Sequence, residues 1–232
     1  MDGAGSAGHI YGFDRIIQQL RIWQPNTMVF ADVALYKAAD LRWAGNEDGR
    51  LPYENWNVVD RTGYLRWRPV EADTPLRKLH WFWHPNDEAS LKSLAELVNN
   101  YNDTVGREAQ LMLGIAPDRT GRVPEPDVAR LREFGDAIQK LNSHNLVQER
   151  QGHGWAAEAL DGDPETFWSA PPGSHHASIE VSFPQPVTFD RALAMEWLND
   201  GQHVQKYAIE VQVHGAMEAS GNGSAHPRIS AF

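Results

Sequence analysis

EASLKSLAELVNNYNDTVGREAQLMLGIAPDRTGRVPEPDVARLREFGDAIQKL, residues 88–141, is the stretch whose reading decides the fold class. Leu91, Leu94, Val98 and Tyr101 recur at helical spacing, which predicts a helix over 88–104 with Gly106 just beyond it. Leu111–Ile115 is short and uniformly apolar, the mark of a buried strand. The turn PDRTG follows, and Val128, Leu131, Phe134, Ile138 and Leu141 then lay an apolar stripe on a second helix over 125–141. Upstream, Phe13, Ile16, Ile17, Leu20 and Trp23 predict a helix over 13–23, and Met28–Ala31 reads as a strand. Helix, strand, loop, helix, strand, turn and helix in that order describe an α/β domain with parallel strands. Residues 32–70 read as a long polar loop region, which is more often functional than scaffolding.

The texture changes after about residue 145. Ser178–Phe183 (SIEVSF) and Tyr207–Val213 (YAIEVQV) alternate polar and apolar residues between Pro-, Gly- and Asp-bearing turns, as the strands of an antiparallel β-sandwich do. The boundary between the two parts falls near Asn142–Asn145.

Bulk properties narrow the function. The chain has 232 residues, a formal net charge of -10 and no cysteine. An acidic surface argues against nucleic-acid and anionic-membrane partners, whose phosphates need basic groups. Without cysteine there are no disulfides and no zinc-thiolate sites. No apolar run approaches a membrane span, and no signal segment opens the chain, so its compartment stays undetermined. Nine tryptophans, several beside His, Asp or Arg, suit the apolar faces and hydroxyls of sugars, although tryptophan also serves in ordinary cores.

Three constellations carry candidate chemistry. Asp2 in MDGAG and Glu47 in RWAGNEDG (42–49) are carboxylates in Gly-bearing segments of the kind that follow strands. Loops after parallel strands gather at one rim, where a carboxylate pair can divide nucleophilic and proton-transfer work. Each is also a common turn sequence, and spacing alone leaves the pair open. In KLHWFWHPND (78–87), a strand would set Trp81 and Trp83 on one face and His80 and His84 on the other. Extended chain would hold the two histidines about 13 Å apart, too far to share a metal. The segment reads equally as a core strand or a sugar platform. In ALDGDPETFW (159–168), Asp161, Asp163 and Thr166 offer oxygens to a structural calcium, but the EF-hand pattern is absent and an Asx turn explains them more simply.

The segments WQPNTMVF (23–30), RWAGNEDG, WRPVEAD (67–73) and WFWHPND through REFG (81–135) occur in the order found in glycoside hydrolase family 29 α-L-fucosidases. Over residues 1–141 the chain resembles that family, most closely its branch preferring α-1,3/1,4-linked fucose. The resemblance implies a retaining exo-glycosidase that needs no metal or organic cofactor. It assigns the nucleophile to Asp2, the acid/base to Glu47, and fucose-pocket roles to Glu71, Trp81 and His84. Residues 145–232, through ALDGDPETFW, ASIEVSF and GQHVQKYAIEVQVHG, resemble the start of a discoidin-type (coagulation factor 5/8 C-like) sandwich. The fold implied is the second half of a (β/α)8-type barrel over 1–144, followed by a partial antiparallel β-sandwich. On this reading the chain starts inside the barrel at its fourth strand, and its open sheet edge implies a homo-oligomer. Fucosylated oligosaccharides or glycoconjugates are the implied partners. The competing reading is a non-catalytic fragment that binds glycans through its sandwich.

Overall fold

The computed structural model describes residues 8–31, 39–51, 68–78, 80–149, 152, 154–198, 202–213 and 216–224. Four strands, β1 (Phe30–Ala31), β2 (Leu41–Trp43), β3 (Val70–Pro75) and β4 (Ala109–Gly114), form one sheet in chain order. All three pairings are parallel, with Phe30 opposite Leu41, Arg42 opposite Val70 and Val70 opposite Ala109. Helix α1 (Phe13–Trp23) precedes β1, α2 (Leu94–Asp103) lies between β3 and β4, and α3 (Glu125–Leu141) follows β4. The parallel α/β layout expected from residues 88–141 is therefore present.

Helices α1 and α3 keep the bounds read from their apolar stripes. Helix α2 starts at Leu94 rather than at 88, because Ser93 caps it. The Ser93 side chain accepts from the Glu96 N–H, and the Glu96 carboxylate accepts from the Ser93 N–H at 2.8 Å. This reciprocal box satisfies two donors that the first turn would otherwise leave open. Glu88–Ser90 is instead a separate single turn. At the other end, α2 stops at Asp103, and Glu108 rather than Gly106 takes the left-handed turn, at φ 61°.

Strand β3 is the centre of the sheet and was not legible as a strand. VEADTP carries two carboxylates and a proline, yet five of its six residues are buried. A parallel strand covered on both faces has no polar side to alternate with, so period-two reading fails. Val70 and Ala72 pack with Leu51 and Ala109 in one apolar cluster. The buried Lys92 donates to the Thr74 hydroxyl at 2.7 Å and to the Pro75 carbonyl, tying β3 to the segment that enters α2. Burial pushes the Lys92 ammonium below its ordinary range. Strand β2 likewise interrupts the region read as one long loop.

Arg77, just past β3, makes a buried two-point ion pair with Asp127 in the first turn of α3, with nitrogen–oxygen distances of 2.5 and 3.2 Å. Asp127 thereby serves both the guanidinium and the positive end of the helix.

Beyond α3 come a short helix α4 (Leu146–Glu149) and an antiparallel hairpin, β5 (Lys206–Val213) and β6 (Ala216–Ser224), with a bulge at Ile209/Glu210. The strand read at 207–213 is present. Ser178–Phe183 forms no strand among the described residues, and Ile179 and Val181 remain 44% and 36% exposed. Within the segment Ser182 takes part in a single β-bridge; alternation marks a surface that can be half buried, but a strand needs consecutive paired residues. Aromatic contacts organise this part locally: Trp155 meets Trp168 edge-on at 4.7 Å, and Phe167 stacks on Trp197 at 4.9 Å. No helix among the described residues is long and apolar enough to cross a membrane.

Candidate functional site

The loops leaving β2, β3 and β4 meet at the C-terminal rim of the sheet, where parallel folds assemble sites. The first carries Glu47. Asn46 begins it with an Asx turn, its side-chain oxygen accepting from the Asp48 N–H at 3.0 Å and its amide donating to the Arg50 carbonyl at 3.1 Å. Gly49 then touches down on the sheet, donating to the Asp73 carbonyl at 3.0 Å. The buried Asn100 of α2 holds the same spot, donating to the carbonyls of Asp48 (2.8 Å) and Gly49 (3.0 Å). Gly49 has φ +64°, and a Cβ there would lie 2.8 Å from Thr74 Cγ2 and 2.9 Å from Asn100 Nδ2. Only glycine fits that crossing, so the loop's far end is fixed while Glu47 at its crest stays exposed.

The second loop carries Trp81. Its indole lies over Gly114 at the end of β4, where a Cβ would come within 2.6 Å of the ring. From there Trp81 Nε1 donates to Glu47 Oε2 at 2.9 Å. Residues 34 apart in sequence thus meet across the rim, each supported from a different strand end.

His84 lies on the same loop as Trp81, but the segment is a turn and not the strand that spacing suggested. The imidazole rings of His80 and His84 are 4.2 Å apart, centroid to centroid, which overturns the separation inferred from extended chain. Arg77 causes the reversal: its guanidinium donates to the Asp87 carbonyl while gripping Asp127, which draws the two ends of the turn together. Asn86 completes the bend at φ 57°, a conformation asparagine tolerates better than most residues. Asp87 accepts from the Ser90 hydroxyl at 2.6 Å and from His80 Nδ1 at 2.8 Å; these bonds hold its carboxyl below the ordinary range. His84 Nδ1 is bonded to the Phe82 carbonyl at 2.9 Å.

On the third loop, Asp118 accepts from the hydroxyl and N–H of Thr120, both at 2.7 Å, and from the Arg122 N–H at 3.2 Å. Those bonds depress its pKa. The turn so formed projects Arg119 to 5.8 Å from the ring centre of Trp83.

Glu71 is placed differently. It sits near the start of β3, four residues and about 13 Å of strand from the Pro75 end. It lines a cleft with Met28, Leu41, Glu108 and Met195 rather than joining Glu47 and Trp81. Its Oε1 is buried without a hydrogen-bond partner among the described residues, and burial first, then the nearby Asp73 charge, raise its pKa. Asp2, the candidate nucleophile, lies outside the described residues.

Spacing did not single out Asp73, whose carboxylate accepts from Trp43 Nε1 at 2.5 Å. The signal available was its position two residues after Glu71 on β3, which gives the two acids the same face. At the calcium candidate, Asp161 accepts from the Asp163 N–H (2.9 Å) and the Thr166 hydroxyl (2.7 Å), bonds that lower its pKa and describe an Asx turn.

The α-L-fucosidase family profile matches residues 23–143, and the F5/8 type C domain profile matches residues 142–224. The chain belongs to the α-L-fucosidase family, glycoside hydrolase family 29. Alpha-L-fucosidase 1 of Arabidopsis thaliana is 24% identical, over the whole of this chain and 51% of its own length. A glycoside hydrolase 29 family member from an unknown rumen bacterium superposes with a TM-score of 0.74 at 25% identity, over 96% of this chain and 40% of that one. A Ruminococcus gnavus GH29 fucosidase solved in complex with fucose shares the fold, with a TM-score of 0.85 at 20% identity, over 100% of this chain and 53% of that one. The chain spans about half the length of the curated relatives it matches.

Proposed function

We propose that the protein is a retaining exo-glycosidase that hydrolyses terminal α-L-fucosyl linkages, of the α-1,3/1,4 type, on oligosaccharides or glycoconjugates. One observation carries the reading: within an α-L-fucosidase family chain, an exposed carboxylate, Glu47, stands at the strand-end rim with an indole N–H fixed on one oxygen. Glu47 serves as the acid/base. Its carboxyl proton passes to the departing glycosidic oxygen as the bond to the anomeric carbon breaks. The same carboxylate then takes a proton from the water that releases fucose. Asp2 serves as the nucleophile, forming the covalent fucosyl-enzyme, and retention requires the two carboxyl groups about 5–5.5 Å apart. The indole of Trp81 limits the rotamers open to Glu47, and its face offers an apolar surface to the sugar. His84, beside it, supplies a hydrogen bond to a fucose hydroxyl.

Residues 1–144 are assigned to the second half of a (β/α)8-type barrel, which the chain-order parallel sheet supports. Residues 145–232 are assigned to a partial discoidin-type sandwich, supported by the second profile match and the antiparallel hairpin. Exposed apolar residues about the sheet, among them Met28, Phe30 and Met112, support self-association that covers its open side.

The deciding assay is hydrolysis of an aryl α-L-fucoside. Glu47→Ala should lower turnover by roughly 10²–10⁴-fold, and Asp2→Ala should abolish it. Wild-type turnover in both variants would refute the assignment.

A further inference from the structure

We propose that the turn 80–87 is a binding site for a divalent transition-metal ion of the zinc or copper type, held through Nε2 of His80 and Nε2 of His84. Two hydrogen bonds assign the free nitrogens. Nδ1 of His80 faces a carboxylate oxygen of Asp87 at 2.8 Å, and Nδ1 of His84 faces the Phe82 carbonyl at 2.9 Å. Both partners are oxygens that can only accept, so each neutral ring carries its proton on Nδ1 and leaves Nε2 as a bare lone pair. A carboxylate or carbonyl behind one ring nitrogen, with the metal on the other, is the arrangement that orients histidine ligands in metalloproteins.

The two ring centroids are 4.2 Å apart, with the ring planes tilted by 32°, so the two imidazoles are neighbours. Asp87 belongs to the same cluster of donor atoms, within 4.8 Å of one another, but its carboxylate is taken up by His80 Nδ1 and orients that ring rather than binding the metal. Zinc-bound nitrogens at about 2.0–2.1 Å and tetrahedral angles lie roughly 3.3 Å apart, and the exposed His84 ring is the one that turns to meet that spacing. The base of the turn is already held by the Arg77 and Ser90 bonds, so little backbone ordering opposes binding. Imidazole nitrogens select zinc, copper or nickel over magnesium and calcium, and copper(II) binds most tightly of the first-row divalent ions. The proposal bears on the fucosidase reading, because Nε2 of His84 is also the atom assigned above to a fucose hydroxyl, so metal and sugar compete for it; metal binding is read without any substrate.

The test is titration of the full chain with zinc sulfate by calorimetry, alongside His84→Ala, His80→Ala and Asp87→Asn. The expected result is one zinc per chain that either histidine variant loses. Asp87→Asn should weaken binding by about 10- to 100-fold, because it unseats the His80 ring. Copper(II) should bind more tightly at the same site and quench tryptophan fluorescence, since Trp81 and Trp83 lie in the turn; magnesium should do neither. Circular dichroism of His84→Ala, whose side chain is exposed, confirms that a loss of zinc is not a loss of fold. Unchanged zinc uptake by the His80→Ala/His84→Ala double variant, or no uptake by the wild-type chain at millimolar zinc, would overturn the proposal.

Discussion

Trp81 reaches across the strand-end rim to Glu47, Nε1 to Oε2 at 2.9 Å, and does so from a seat that only a glycine, Gly114, leaves open. Trp81→Phe keeps most of the ring and removes the donor. A typical intramolecular hydrogen bond is worth about 0.5–1.5 kcal/mol net, the upper end being about a tenfold change in rate. The expected outcome is about a tenfold loss of kcat/KM on an aryl α-L-fucoside with little change in melting temperature.

Gly114→Ala tests the seat itself. The added methyl would meet Trp81 Cζ3 at 2.6 Å, so the ring must move. Activity should fall at least as far as in Trp81→Phe, and the Trp81→Phe/Gly114→Ala double variant should be no worse than the more damaging single change. Additive losses would show that the two residues act separately.

At Gly49 both the backbone and the space forbid a side chain. Gly49→Ala would place Cβ against Thr74 and Asn100 at φ +64°. The strained conformation alone costs of order 1 kcal/mol, and the clash adds to it. Thermal denaturation should show a lower melting temperature, and the loop carrying Glu47 should become more susceptible to proteolysis.

Arg77→Ala would leave the Asp127 carboxylate buried without its partner. Breaking such a pair costs about 3–5 kcal/mol. At about 2–4 °C per kcal/mol for a chain of this size, the melting temperature should fall by roughly 6–20 °C. Arg77→Met/Asp127→Leu should recover much of that loss, because no unpaired charge remains.

Acid should weaken the start of α2. Lys78, at 2.7 Å, and the Ser93 cap lower the Glu96 pKa from 4.5 to about 2. A depressed carboxylate contributes stability that is complete above its unfolded pKa and is lost as pH falls through the folded value. The window is therefore about pH 4.5 down to pH 2, and the contribution is modest because both side chains are more than one-third exposed. Chemical denaturation of Glu96→Gln should show a smaller stability loss than wild type between pH 6 and pH 3.

What the sequence determined by itself is the part encoded within a few neighbouring residues. The apolar stripes of 13–23 and 125–141 became α1 and α3 without revision, and the alternation at 207–213 became β5. The box Ser93–Glu96 was also present in the letters and sets the true start of α2. Such features depend on contacts between residues three or four apart, or two apart on a strand, so local order contains them. Tertiary structure alone decided that the acidic VEADTP is the buried strand β3, because its burial comes from neighbours on both faces. It also decided that SIEVSF, bridged at Ser182 but not at consecutive residues, is not a strand. Above all it decided the turn at 80–87: Arg77, drawn toward Asp127 fifty residues away, folds back a segment whose alternation reads as extended. That reversal brings the two histidines together and sets Trp81 against Glu47, because a buried charge must find its counter-charge wherever the chain has placed it.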